Sequence, residues 1–67
     1  MVRLWRLRKL HDQVDAILVD HDDGVELQFR LNGVPTNARR FGDRDAARSV
    51  AAEKRLELER GGWMAHW

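Results

Sequence analysis

The sequence predicts an α+β domain in which a three- to four-stranded antiparallel meander is followed by one C-terminal helix packed on one face of the sheet. Three observations lead to this prediction: a strictly alternating strand, a turn dipeptide directly after it, and an alanine-rich segment with a capping residue. We assign residues 1–67 to this single small domain. Because cysteine is absent, packing has to hold the small core together without a disulfide.

The third predicted strand, Gly24–Leu31, sets the phase of the sheet. Its apolar residues occupy every second position and share one face: Val25, Leu27, Phe29 and Leu31. Asn32-Gly33 follows directly and suits the positive φ angles of a type I′ hairpin turn. The turn leads into a fourth strand, Val34–Phe41, which Pro35 places at an edge because proline donates no ladder hydrogen bond.

Two earlier strands complete the predicted meander. In Val2–Lys9, Trp5 and Leu7 share one face and alternate with arginines, and a turn is expected at residues 11–13. Val14–Val19 contains an unbroken apolar run, which suggests burial on both faces or a central position in the sheet. The acidic segment at residues 20–24 is expected to reverse the chain before the third strand.

One helix is predicted over residues 43–60, with Asp43 as its capping residue and Gly61-Gly62 as its stop. Its small and apolar residues share a face of the helical wheel: Ala46, Ala47, Val50, Ala51 and Leu58. Trp63 is expected to fold back onto the helix end or the sheet, and residues 64–67 to fray. The predicted core consists of Trp5, Leu7, Val25, Leu27, Phe29, Leu31, Phe41, Val50, Leu58 and Trp63.

Charge does not single out a partner. The 12 basic and 11 acidic residues nearly cancel, so the overall field is too weak to argue for nucleic acid. Ten of the 12 basic residues are arginine, whose guanidinium suits phosphate contacts, although a GC-rich coding sequence produces the same bias. No stretch approaches the roughly 20 apolar residues that cross a bilayer. We therefore expect a cytoplasmic protein with no membrane partner.

The sequence contains no pattern typical of a catalytic or metal site. Its only hydroxyl groups belong to Thr36 and Ser49, and it has no glycine-rich phosphate loop or nucleophile elbow. The acidic turn with His21 does not match the spacing of a calcium-binding loop, so a solvated turn is the preferred interpretation. We expect no enzymatic activity, catalytic residue, metal, cofactor or small-molecule substrate.

Two sets of surface residues are candidate contact sites. The first, for nucleic acid or a protein partner, consists of arginines expected on the sheet face opposite the helix: Arg6, Arg8, Arg30, Arg39 and Arg40. If the first and third strands are neighbours, Arg6 or Arg8 lies near Glu26; the alternative is a solvated face on which Glu26 and other acids offset the arginines. The second set, for self-association, consists of Ile17, Val19, Trp63 and Trp67.

Four short segments resemble a group of small uncharacterised bacterial proteins of unknown function: Trp5-Arg6-Leu7-Arg8-Lys9, Gly24-Val25-Glu26-Leu27, Asn32-Gly33, and Leu58-Glu59 with Gly62-Trp63. The resemblance implies the strands-then-helix layout and brings no activity with it. The layout is also similar to a plant-type DNA-binding domain whose sheet enters the major groove, but Pro35 and the near-neutral charge depart from that pattern.

These observations lead to two functional hypotheses. The first is a non-enzymatic accessory or protein-interaction module of a bacterial cytoplasm, whose partner is another protein or a second copy in a homodimer. The alternative is a nucleic-acid-binding module that uses the arginines of the open sheet face.

Overall fold

The computed structural model describes residues 1–65 and shows a five-stranded antiparallel sheet with one helix packed on it. The predicted α+β class is confirmed, with one strand more than expected. In chain order the elements are β1 Val2–Lys9, β2 Asp12–His21, β3 Gly24–Leu31, β4 Val34–Phe41, α1 Arg44–Arg60 and β5 Met64–Ala65. The order across the sheet is β4-β3-β2-β1-β5, so β1 to β4 form a meander.

The chain reverses between the meander strands at two-residue turns. Asn32 and Gly33 have φ angles of 53° and 84°, which confirms positive φ at both positions of the predicted hairpin turn. Between β1 and β2 the turn lies at Leu10–His11, and the prediction of residues 11–13 is wrong. Leu10 has a φ of 55°, and β2 is longer at both ends than predicted.

The core lies between the sheet and α1. Side chains from β1, β2 and β3 fill the sheet side, and two alanines of the helix face them. The buried cluster consists of Trp5, Leu7, Ala16, Leu18, Val25, Leu27, Ala47 and Ala51. Because the alanines are short, the helix backbone comes close enough for Trp5 Nε1 to donate to the Ala51 carbonyl oxygen at 3.0 Å. This buried hydrogen bond fixes the position of the helix over β1.

Both predicted ends of the helix are confirmed by hydrogen bonds. The Asp43 side chain accepts from the Ala46 N–H at 2.8 Å and caps the first turn. At the C-terminal end, Gly61 is the capping residue, and the Trp63 N–H donates to the Leu58 carbonyl oxygen at 3.1 Å. Trp63 is half-buried and packs against the core, as expected from its position after the glycines.

The predicted core is correct at its centre and wrong at Leu31, and the predicted apolar face of the helix is wrong at Ala46. Leu31 is 39% exposed, because it ends β3 next to the turn. Ala46 is exposed, because the side of α1 that packs against the sheet carries Ala47 and Ala51. Ala16 and Leu18 belong to the buried cluster, which agrees with the central position that the apolar run predicted for β2.

The chain after the helix does not simply fray. Met64 and Ala65 form β5, which pairs antiparallel with Arg8 and Leu7 at the outer edge of β1. A strand of two residues carries no alternation that a sequence pattern can reveal, so β5 was not predicted. The expected fraying of residues 66–67 lies outside the described residues.

Candidate functional site

Strand β4 lies at one edge of the sheet and pairs only with β3. Seven of its eight residues are exposed, and the eighth, Phe41, is half-buried. The edge position predicted from Pro35 is confirmed. Within residues 1–65, β4 therefore presents a row of backbone groups that no other strand uses.

The first half of β4 is irregular. Arg30 of β3 lies opposite Pro35. Its neighbour Phe29 lies opposite Asn37, so Thr36 is an extra residue that forms a bulge in β4. The Thr36 hydroxyl donates to the Phe29 carbonyl oxygen at 3.1 Å. The bulge leaves the second half of β4 as its regular part.

The alternation of ladder hydrogen bonds shows which backbone groups of β4 point outward. The Asn32 N–H donates to the Gln13 carbonyl oxygen at 2.8 Å, so even-numbered residues of β3 bond to β2 and odd-numbered ones bond to β4. Arg39 lies opposite Leu27, an odd-numbered residue of β3, so its backbone N–H and C=O groups bond to β3. Its neighbours Ala38 and Arg40 alternate with it, so their N–H and C=O groups point toward solvent.

Two adjacent arginines make this edge positively charged. Arg39 lies on the helix side of the sheet, and its guanidinium carbon is 5.0 Å from the centroid of the Phe41 ring. Arg40 lies on the opposite face, where its Nη1 is 2.8 Å from Asp23 Oδ1. Both members of this ion pair are exposed, and pairs of this kind contribute only about 0–1 kcal/mol. A carboxylate from a partner can therefore replace Asp23 at little cost.

A largely apolar groove of about 270 Å³ lies beside the edge, between the sheet and the C-terminal half of α1. Its lining residues are Val14, Phe29, Leu31, Thr36, Asn37, Lys54 and Leu58. Thr36 and Asn37 belong to β4, so the groove adjoins the edge strand itself. Lys54 is the one titratable side chain in this lining, which suits binding of an apolar side chain and offers no acid–base pair.

The five arginines predicted as a contact site do not share one face. Arg6, Arg8, Arg30 and Arg40 lie on the face away from α1, here called the open face, whereas Arg39 lies on the helix side. The conditional placement of β1 beside β3 is wrong, because β2 separates them. The arginines of β1 therefore meet β2 and not Glu26.

The acid that neutralises an arginine of β1 is Asp15, which sequence reasoning missed. Asp15 is only 5% exposed, and Arg6 donates to both of its carboxylate oxygens, at 2.7 Å from Nε and 3.3 Å from Nη2. This hydrogen bond is the main cause that raises the pKa of Arg6 above its ordinary value. Counting back from a turn at Leu10–His11 places Arg6 opposite Asp15, so the correct turn would have revealed the pair.

Glu26 pairs with a histidine instead of an arginine. His21 Nε2 lies 2.7 Å from Glu26 Oε1. This hydrogen bond is the main reason why the pKa of Glu26 is lower than its ordinary value. Arg40 lies opposite Glu26 in the ladder and lowers the same pKa further by its charge.

Two of the predicted arginines on the open face have no acidic partner among residues 1–65. Arg30 donates to Gln28 Oε1 from Nη2 at 2.8 Å and from Nε at 3.1 Å, and its Nη2 is 3.6 Å from Met1 Sδ. Arg8 forms no ion pair within the same range. The open face therefore keeps part of its positive charge.

Three of the four residues predicted for self-association lie among residues 1–65, and these three do not form an exposed patch. Ile17 faces away from the helix as expected, but only 6% of it is accessible, which agrees with burial of β2 on both faces. Its ladder partners are Arg3 in β1 and Gln28 in β3. Val19 is half-buried on the same face, and Trp63 packs against the core on the other side of the sheet. Trp67 lies outside the described residues.

The acidic turn is held by ion pairs with neighbouring elements. Arg44 Nη2 lies 2.7 Å from Asp20 Oδ2, and Asp23 pairs with Arg40 as described above. His21 contacts Glu26. Among residues 1–65 no group of three His, Cys, Asp or Glu side chains is arranged to hold a metal ion.

Comparison of the chain with protein-family models, curated proteins and solved structures found no match. In the part of the chain that the structure describes, no helix has both the length and the apolar character that crossing a bilayer requires.

Proposed function

We propose that this chain is a non-enzymatic protein-interaction module that binds an extended segment of a partner along β4. The observation that carries the proposal is the free edge, where Ala38 and Arg40 direct backbone N–H and C=O groups outward from a strand exposed on both faces. When a strand adds to such an edge, main-chain hydrogen bonds supply affinity and alternate side chains supply specificity.

The chemistry of the groove supports binding over catalysis. Acid–base catalysis requires a proton donor or acceptor held within hydrogen-bond reach of a substrate, usually with a second polar group that orients it. The groove offers Lys54 alone, and the Thr36 hydroxyl is engaged with a backbone carbonyl. We place the module in a bacterial cytoplasm, a setting supported by the lack of cysteine, since small domains of oxidising compartments commonly rely on disulfides.

The test of this function compares two substitutions at one position, Ala38→Pro and Ala38→Ser. Proline removes the outward N–H but leaves the inward ladder bonds of β4, whereas serine keeps that N–H. Randomised octapeptides displayed on phage are selected on the unmodified protein. Their dissociation constants are then measured by fluorescence anisotropy for the unmodified protein and both variants.

We expect Ala38→Pro to weaken binding roughly tenfold, because it removes a main-chain hydrogen bond and crowds the edge, and Ala38→Ser to leave binding unchanged. Bound peptides should also slow hydrogen exchange at the amides of Ala38 and Arg40. Circular dichroism checks that both variants fold. Equal binding by Ala38→Pro, or protection only at other amides, contradicts the proposal.

A second candidate function is nucleic-acid binding through the open face. The strands place five arginines and two acids on this face; Asp15 is buried against Arg6, and Asp23 of the neighbouring turn pairs with Arg40. The arginines are Arg3, Arg6, Arg8, Arg30 and Arg40, and the strand acids are Asp15 and Glu26. Sheets that bind DNA present side chains from an open face or ribbon in a comparable way.

Titration with random duplex and single-stranded DNA at two salt concentrations tests this second function. If the arginines contact phosphates, affinity falls as salt rises, and the double variant Arg8→Ala/Arg30→Ala loses roughly two units of the salt slope. The matched control, Arg48→Ala/Arg60→Ala on the exposed surface of α1, should leave the salt slope unchanged. Absence of binding at low salt would exclude this function.

A further inference from the structure

Both free edges of the sheet are basic, which argues against a second copy as the partner of β4. β5 covers β1 only at Leu7 and Arg8, so the rest of β1 forms the other free edge, where Arg3 supplies the positive charge because Asp15 neutralises Arg6. β4 carries Arg39 and Arg40, and neither strand contains an acidic residue. Pairing of these edges between two copies brings like charges together across the strands, which is unfavourable.

We infer that the segment that binds to β4 is acidic and that its carboxylates meet Arg39 and Arg40. This inference rests on the function proposed above and specifies the partner's chemistry. The Arg39 guanidinium covers the Phe41 ring and has no hydrogen-bond or ion-pair partner among residues 1–65, so its N–H groups are free to bind a carboxylate. Arg40 exchanges its exposed contact with Asp23 for a carboxylate of the partner.

The geometry of β4 also determines the spacing of the partner's side chains. Arg39 and Arg40 lie on opposite faces, so the partner residues that face them are consecutive. Asn37 lies on the helix side with Arg39 and lines the groove. The partner residue that faces Asn37 is therefore two positions from the residue that faces Arg39, and it points toward the groove.

The groove specifies an apolar residue at that position. A leucine-sized side chain that enters it contacts Phe29, Leu31 and Leu58, which are only partly covered by the chain itself. From its N-terminus, an antiparallel partner strand therefore has an acidic residue facing Arg40, an acidic residue facing Arg39, any residue, and an apolar residue facing Asn37. A parallel partner strand has the same residues in the reverse order. Lys54 in the groove wall already pairs with a carboxylate of α1, since its Nζ lies 3.7 Å from Glu57 Oε1.

A fluorescein-labelled peptide, acetyl-STEETLTS-amide, is the probe for this inference. Its matched controls are STKKTLTS, which reverses the charge, and STEETATS, which truncates the apolar residue. We expect the acidic probe to bind roughly tenfold more tightly than the lysine peptide, and the alanine peptide to bind several-fold more weakly than the acidic probe. Arg39→Gln should weaken the charge preference and Arg39→Glu should remove it, because Arg40 still faces one of the two carboxylates. Arg48→Glu, on the exposed surface of α1, controls for net charge and should leave the preference unchanged.

The outcomes separate this inference from the function on which it rests. If the acidic probe fails to bind while selected octapeptides still protect the Ala38 and Arg40 amides, the acidic partner is wrong and the edge function stands. If no peptide protects these amides, both are wrong. Binding of the acidic probe that is equally tight to Arg39→Glu overturns the inference. A dimer that light scattering detects at high concentration and that Ala38→Pro dissociates also overturns the inference, because a second copy then binds to β4.

Discussion

β2 and β4 belong to the same sheet but have opposite surroundings. β2 pairs with strands on both sides and buries residues 15–18, whereas β4 pairs on one side and exposes seven of its eight residues. On the open face, Ile17 of β2 is buried, while Ala38 of β4 lies exposed on that same face. The central strand therefore holds the fold together, and the edge strand stays free to bind without opening the core.

The largest expected effect tests this division of roles with one truncation in each strand. Leu18 is 1% exposed, so Leu18→Ala should lower the free energy of unfolding by about 2–5 kcal/mol through lost burial and the cavity left behind. Val34 is 62% exposed, so Val34→Ala should change it by no more than about 0.5 kcal/mol. Urea titration followed by circular dichroism measures both. Similar losses for the two variants would mean that β4 supports the core as β2 does.

An intermediate effect is expected at Gly24, where the start of β3 meets the end of β4. Gly24 has a φ of 144°, and a Cβ atom there would collide with the carbonyl oxygen of Phe41. Gly24→Ala should destabilise the fold by about 1–3 kcal/mol through backbone strain alone, and displacement of Phe41 adds to the loss. Thermal unfolding of the purified variants gives the comparison.

Two other glycines serve as graded controls for this prediction. Gly33 has a φ of 84° but open space where the methyl group of an alanine would lie, so Gly33→Ala should cost about 1 kcal/mol from strain. Gly42 has no positive φ and the same open space, so Gly42→Ala should be neutral or slightly stabilising. If Gly24→Ala is no worse than Gly33→Ala, the close contact between β3 and the end of β4 does not limit stability.

The sequence allowed the bounds of β3 and β4 to be predicted because local chemistry determines both. Strict alternation sets the face of each residue in β3, and Asn32-Gly33 sets the register of the hairpin that follows. The helix was equally legible, since Asp43 and Gly61 mark its two ends. The candidate edge followed from Pro35, which cannot donate a ladder hydrogen bond.

The features that were missed depend on contacts between distant parts of the chain. β5 exists because the chain returns to the outer side of β1 after Trp63, and nothing in two residues encodes that pairing. The Arg6–Asp15 pair depends on a turn at Leu10–His11, where a leucine adopts the positive φ that patterns associate with glycine or asparagine. The bulge and the groove beside β4 likewise arise only when β3, β4 and α1 are packed together.

The smallest expected effect concerns Glu26, which lies opposite Val19 of β2 and Arg40 of β4 and so links the central strand to the edge strand. The hydrogen bond with His21 lowers the pKa of Glu26 most, contacts with Gln28 and the charges of His21 and Arg40 lower it further, and burial opposes them. A carboxyl whose pKa is lower in the folded state stabilises the fold above its unfolded-state pKa, and this contribution disappears as pH falls through the folded-state pKa.

The unmodified protein should therefore be slightly more stable than Glu26→Gln at neutral pH, and the difference should vanish below the usual glutamate range. Urea midpoints measured for both proteins from neutral to acid pH test this, and the subtraction removes the titration of the other carboxyls. A difference that does not change with pH would show that Glu26 acts through packing and not through its charge.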